Sequence, residues 1–209
     1  GTGVLLAIAL FVREQVGGAI VAHKGYGNRM FSKRVRTTEE MEILEKSGEQ
    51  TVVFELQGSL FFGTTDQLYT ALAPDIAARR RFVVLDFRRV QSVDVTAVHM
   101  LQQIEAQLAE QDGQFFFSQL PKRVPSGRDI QKYFREVGLA QAQSHARVFE
   151  EVDDALEWIE DRVILEAQIA QALEKPLELR EIDIFGRRKQ ETLAELEACM
   201  EARGCKACL

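Results

Sequence analysis

Cysteine is absent from the body of this 209-residue chain: Cys199, Cys205 and Cys208 all lie in the last eleven residues. No disulfide framework therefore holds the fold, and a reducing compartment is the simpler reading. Cys205 and Cys208 have the spacing of half a zinc site, but no second pair completes it, and no metal is expected. Histidine is scarce too. His23, His99 and His145 lie on three separate segments, none with a ligand partner at a useful spacing. The phosphate-binding, dinucleotide-binding, nucleophile-elbow and zinc-protease motifs are all missing, so neither catalysis nor a cofactor is expected. Positive charge is not in excess: the net charge of -6 argues against a nucleic-acid partner.

Long hydrophobic runs are also lacking. The strongest, VLLAIALFV, covers residues 4–12, whereas a spanning helix needs roughly 20 residues. It is either a buried helix or the tail of a membrane helix. Acidic residues are absent from 24–36, where Lys24, Arg29, Lys33, Arg34 and Arg36 cluster. A basic cluster after an apolar helix end fits a cytoplasmic membrane boundary. The alternative is a soluble amphipathic N-terminus with a solvated basic face.

What is present is an alternation of strand and helix patterns. TEEMEILEK (38–46) reads as a helix capped by Thr37 or Thr38 and stopped by Ser47 and Gly48. TVVFELQG (51–58) alternates and is β-branched, as a strand should be. SLFFG (59–63) reads as a second short strand or the strand's end. Thr64 and Gln67 have capping-box spacing before a helix with Leu68, Leu72 and Ile76 inward; Pro74 falls inside it. FVVLDF (82–87) is apolar but for Asp86, the mark of a central strand covered on both faces.

The pattern predicts a helix over about 96–111, with Ala97, Leu101, Ile104 and Leu108 inward and Gly113 at its end. A strand over 113–120 and a Pro-containing loop, PKRVPSG, come next. Ile130, Tyr133, Phe134 and Val137 face inward on a helix over 129–137 capped by Gly138. A short strand over 147–149 precedes a long helix capped by Asp153, with Leu156, Ile159 and Val163 inward. Alternating elements of this kind make an α/β domain around one sheet. After Pro176 the pattern changes to LELREIDIF and then a charged helix over 189–201.

One polar pair stands at the strand-to-helix junction VQSVDVTAVHML (90–101). Asp94 or Thr96 there caps free N–H groups, and a helix N-terminus favours negative charge. A hydroxyl at that place also suits a phosphate. The arginines at 79–81 and 88–89 read as solvated loop residues. A receiver domain also uses an Asp. However, Asp86 lies within an apolar strand, and the first strand ends in Gln57 and Gly58.

The order ELQGSLFFGTTDQL, VVLDFRRVQSVDVTAVHMLQQI, PSGRDIQKYFREVGL, VFEEVDDALEWIED resembles a STAS domain, over about 51–162. More narrowly it resembles the STAS domain of SulP-type (sulfate permease) anion transporters. GVLLAIALFVREQVGG is similar to the end of their last membrane helix, and the stretch through FSKRVR to their basic link. LELREIDIFGRRKQETLAELEACME resembles the lead-in to a cyclic-nucleotide-binding domain.

This resemblance implies a mixed, mostly parallel sheet of four to five strands with helices packed on it and helical extensions at both ends. It implies three parts: a membrane-helix end and linker (1–36), the STAS domain (37–166) and a helical linker (167–209). It further implies regulation at the cytoplasmic face of a cell membrane. The partners would be the membrane part of the same transporter, a cytoplasmic protein, or a second copy. Asp94, Val95, Thr96 and Ala97 are then the candidate contact surface. In stand-alone STAS proteins that antagonise anti-sigma factors, a Ser directly after the Asp is phosphorylated. Here that position is Val95, and Thr96, one residue on, is the candidate phosphoacceptor. Arg29, Lys33, Arg34 and Arg36 form the basic juxtamembrane set. A soluble partner-switching protein is the alternative.

Overall fold

The structure is a computed structural model that describes residues 4, 19–121, 129–139 and 144–174. The apolar run after Val4, most of PKRVPSG, the stretch after residue 174 and all three cysteines lie outside the described residues. Two compact units are distinguished, 1–164 and 165–209. The first holds the sheet. Of the second, the described residues are 165–174, the last part of one helix.

Five strands lie side by side in chain order: β1 (Val21–Tyr26), β2 (Thr51–Leu60), β3 (Phe82–Val93), β4 (Gln114–Ser118) and β5 (Ala146–Phe149). β1 runs antiparallel to β2, and the other neighbours are parallel. The helices are α1 (Thr38–Ser47), α2 (Phe62–Ala77), α3 (Val95–Ala109), α4 (Ile130–Glu136) and α5 (Val152–Glu174).

Strand periodicity assigns the layers, because successive side chains point to opposite faces. Val83, Leu85 and Phe87 of β3, with Phe115 and Phe117 of β4, join one cluster. Leu68 and Leu72 of α2, Leu101 and Ile104 of α3, and Phe134 of α4 cover it. Phe82, Val84 and Phe116 point the other way, beneath Leu44 of α1 and Leu156, Ile159 and Val163 of α5. Phe134 meets Phe117 edge to face, with ring centroids 5.1 Å apart, a favoured arrangement for aromatic pairs. The inward residues expected of α2, α3 and α5 are therefore the ones that pack. Tyr133 of α4 and Val137 at its C-cap are half-buried at the edge of the first cluster.

Several boundaries differ from expectation. Residues 21–26, expected to be linker, pair with β2 as an edge strand. The partners Lys24↔Phe54 and Tyr26↔Val52 fix the register, with a bulge near Val21. VAHKGY has Gly and Lys where a strand pattern wants β-branched residues, so β2 supplies what propensity does not. α2 starts at Phe62, two residues before the expected capping Thr64. Thr64 instead accepts a hydrogen bond from the Phe61 N–H at 3.0 Å. β3 continues past Phe87 to Val93. Asp112, not Gly113, takes the left-handed conformation after α3, with φ 57°. A Cβ on Gly113 would lie 3.0 Å from the Leu108 carbonyl oxygen, which explains the glycine. Asp153 does not cap α5. It lies in the first turn and accepts from the backbone of Lys33.

Candidate functional site

The junction at Asp94 is built by two adjacent strand-to-helix turns. β2 and β3 are parallel neighbours whose ends coincide, with Leu60 opposite Val93. α2 and α3 therefore begin side by side. The Asp94 N–H donates to the Leu60 carbonyl at 2.9 Å, closing the sheet at that point. One oxygen of the Asp94 carboxylate accepts from Ala97 N–H at 2.8 Å, the N-cap bond expected of it. The other accepts from the Phe62 N–H of α2 at 3.3 Å. A single carboxylate thus ties two helix starts together, where both macrodipoles favour negative charge.

The four residues of the expected surface separate into two sets. Val95 is 43% exposed and Thr96 is exposed, whereas Ala97 is fully buried in the core. Thr96 Oγ1 is therefore accessible, while Ala97 can contribute only its backbone N–H to the junction.

Sequence reasoning missed the contribution of α2. Phe62 is 77% and Tyr69 40% exposed, both large apolar side chains facing solvent. Together with Thr65 and Asp66 of α2 and Met100 and Gln103 of α3 they line an open groove of 580 Å³. The signal was the doubled Phe in SLFFG: adjacent side chains at a strand end point apart, so one of the two faces out. Apolar groups rimmed by polar ones on a surface mark an interaction site.

The basic set does not join this junction. Arg29 and Lys33 are exposed. Arg34 pairs with Glu157 at 2.8 Å and Asp161 at 3.0 Å. Arg36, its side chain only 4% exposed, pairs with Glu160 at 2.9 Å and Asp161 at 2.5 Å. Burial works against the Arg36 charge, but hydrogen bonds to Asp161 and Glu160 outweigh it and raise the pKa above the ordinary value. Lys24 behaves alike. Burial opposes its charge, yet the bond to Asp75, 2.7 Å away, raises its pKa. Arg80 is not merely a solvated loop residue, since it stacks on Tyr26 and approaches Asp75.

Among the described residues, no cluster of three or more acidic, His or Cys side chains could hold a metal ion. No helix among them is long and apolar enough to cross a membrane. His99 is exposed and contacts Gln102 on its own helix at 3.0 Å. The buried Asp86 accepts from the Arg88 N–H at 2.9 Å.

A five-stranded sheet with helices on both faces, and a capped helix start beside an exposed apolar groove, defines a small α/β domain. The family model described as "STAS domain" matches residues 41–155, and the chain belongs to that family. Its curated relatives are longer proteins. Glutaminase 1 of Bradyrhizobium diazoefficiens is 25% identical over 190 residues, covering 91% of this chain and 30% of the relative. The vacuolar basic amino acid transporter VSB1 of Saccharomyces cerevisiae is 25% identical over 174 residues, covering 78% and 16%. This chain thus spans less than a third of either. Among solved structures, a sulfate transporter family protein from Wolinella succinogenes is 24% identical, with TM-score 0.45, covering 56% of this chain and 88% of that one. The anti-sigma factor antagonist SpoIIAA in its unphosphorylated form is 19% identical, with TM-score 0.40, covering 55% and 89%.

Proposed function

We propose that this chain is the regulatory and interaction portion of a SulP-like secondary anion transporter, at the cytoplasmic face of the cell membrane. It has no catalysis of its own in this reading. Transport belongs to membrane segments that precede it, and residues 1–36, 37–166 and 167–209 are the linker, the STAS domain and a helical extension. The observation that carries the reading is the Asp94 junction. It fixes two helix starts with one carboxylate and leaves Phe62, Val95 and Thr96 outside, a rigid platform with an apolar, partly acidic groove. Such a platform suits docking of a protein segment. The membrane part of the same transporter is the partner of choice, with a cytoplasmic protein or a second copy as further partners. Thr96, accessible on the first turn of α3, is the candidate phosphoacceptor in place of the absent Ser at Val95. Similarity to a transporter over most of the chain supports the membrane assignment.

A second reading makes the same module an appendage of an enzyme. The 190-residue similarity to Glutaminase 1 favours it over a stand-alone partner-switching protein. Expressing the product of the whole gene separates these. Recovery in the membrane fraction, with sulfate uptake altered by Val95→Asp, upholds the transporter reading. A soluble product that hydrolyses glutamine establishes the second. A soluble product with neither activity leaves the partner-switching module.

A further inference from the structure

Two oppositely charged segments meet outside the region that the family model matches. Residues 29–36 precede residue 41, and Glu157, Glu160 and Asp161 follow residue 155. Glu160 is 5% exposed. A carboxylate so far removed from water is strongly disfavoured unless paired and hydrogen-bonded. Its two oxygens receive four donors. The Ser32 N–H and Ser32 Oγ each approach at 2.6 Å, Arg36 Nε at 3.2 Å and Arg36 Nη2 at 2.9 Å. Around this centre, the Lys33 N–H donates to Asp153 at 2.9 Å, and Arg34 bridges Glu157 and Asp161. Asp153, Glu157, Glu160 and Asp161 are spaced as neighbours along one side of a helix. Neither the Asp94 junction nor its groove uses any of these groups.

We infer that residues 32–36 are an electrostatic latch, with Glu160 as the residue on which it turns. The latch joins the chain that enters the sheet through β1 to helix α5, and it is built to open as a unit. The donors Ser32, Lys33, Arg34 and Arg36 lie within five consecutive residues, and the acceptors Asp153, Glu157, Glu160 and Asp161 lie on one helix. The segment between β1 and α1 has no ladder of its own to hold it. β1 itself stays, because its register with β2 and the Lys24–Asp75 pair are separate from the latch. Ser32 is half-buried, and its hydroxyl is the latch's most vulnerable point. A negative group on Ser32 Oγ removes a donor and sets two anions in contact. The outer Arg34 pairs are exposed and screened by salt; the inner Arg36–Glu160 pair is not.

Hydrogen exchange on the 209-residue chain tests the latch. The reporters are the Ser32 and Lys33 amides, with the amides of residues 83–85 in β3 as the internal reference. Ser32→Asp and Glu160→Gln are expected to speed exchange at Ser32 and Lys33 by about tenfold or more, the scale of losing a hydrogen bond to a charged group. The β3 amides should stay unchanged. If Glu160→Gln loosens the whole domain, Ser32→Asp decides. Selective acceleration in that variant upholds the latch. Unchanged amides at residues 32 and 33, or acceleration of these and β3 together in Ser32→Asp, overturns it, because Glu160 would then be an ordinary part of one cooperative core.

Discussion

The two faces of the sheet are closed by different physics. Toward α2, α3 and α4 the seal is mainly apolar: Phe87, Phe115, Phe117 and Phe134 interlock with leucines from two helices, and the buried Asp75 of α2, paired with Lys24, is the charged exception. Toward α1 and α5 the apolar cluster is smaller, and Glu160 and Arg36 are buried beside it. The first face obtains its rigidity from shape, and so can afford an open platform at the Asp94 end. The second depends on charges being matched, which makes it sensitive to modification and, at its margin, to salt.

Substitutions that strike one face and spare the other sharpen this contrast. Phe117→Ala leaves a cavity under α4 and should cost about 3–5 kcal/mol, read from the urea midpoint at unchanged slope. Arg36→Ala strands the buried Glu160 carboxylate and should cost about as much, roughly 3–5 kcal/mol. If it costs under about 1 kcal/mol, the inner pair is not truly desolvated and the contrast fails.

Asp94→Ala should destabilise by about 0.5–2 kcal/mol, the range for a lost N-cap. Asp94→Asn should recover most of that, since Asn also caps. Arg34→Ala should cost about 0–1 kcal/mol, an effect that disappears at high salt. Phe62→Ala should leave stability within about 0.5 kcal/mol, because the side chain is already in water, while weakening whatever docks in the groove.

A pH titration separates the Lys24–Asp75 pair from the rest. The folded pKa of Lys24 lies above its unfolded value, so its contribution is fully present below about pH 10.4 and is lost as pH rises through the folded value. Lys24→Met should remove that alkaline loss; a melting profile that still falls identically at high pH assigns it elsewhere.

Much of this was legible in the residues. FVVLDF had to be a central strand, since its side chains other than Asp86 are apolar and point to both faces, so neither face can meet water. Leu101, Ile104 and Leu108 had to face inward, because their spacing puts them on one stripe. The cap had to be Asp94 or Thr96, the polar residues where an extended run meets a helical one, and the structure gives it to Asp94. β1 was not legible: VAHKGY carries little strand propensity, and only the hydrogen-bonding edge of β2 makes it one. The α2 half of the groove was hidden because exposure of Phe62 depends on where α2 begins. Thr64 sets that point through a bond to the backbone of Phe61.

The basic segment is where sequence and structure part furthest. Its composition makes Arg29, Lys33, Arg34 and Arg36 a set of cations open to anionic partners. It cannot say which, because a charge pattern specifies sign and not partner. The fold answers for two of the four by bringing α5, more than a hundred residues away in the chain, against residues 32–36 and burying Glu160 there. Local periodicity determined β2 to β5, the helix faces and a cap at Asp94 or Thr96, since those follow from neighbours in sequence. The register of β1, the pairing of two helix starts on one carboxylate and the choice of anion for Arg36 were decided only by tertiary contact. Each depends on long-range burial that changes what a charge or a backbone group costs.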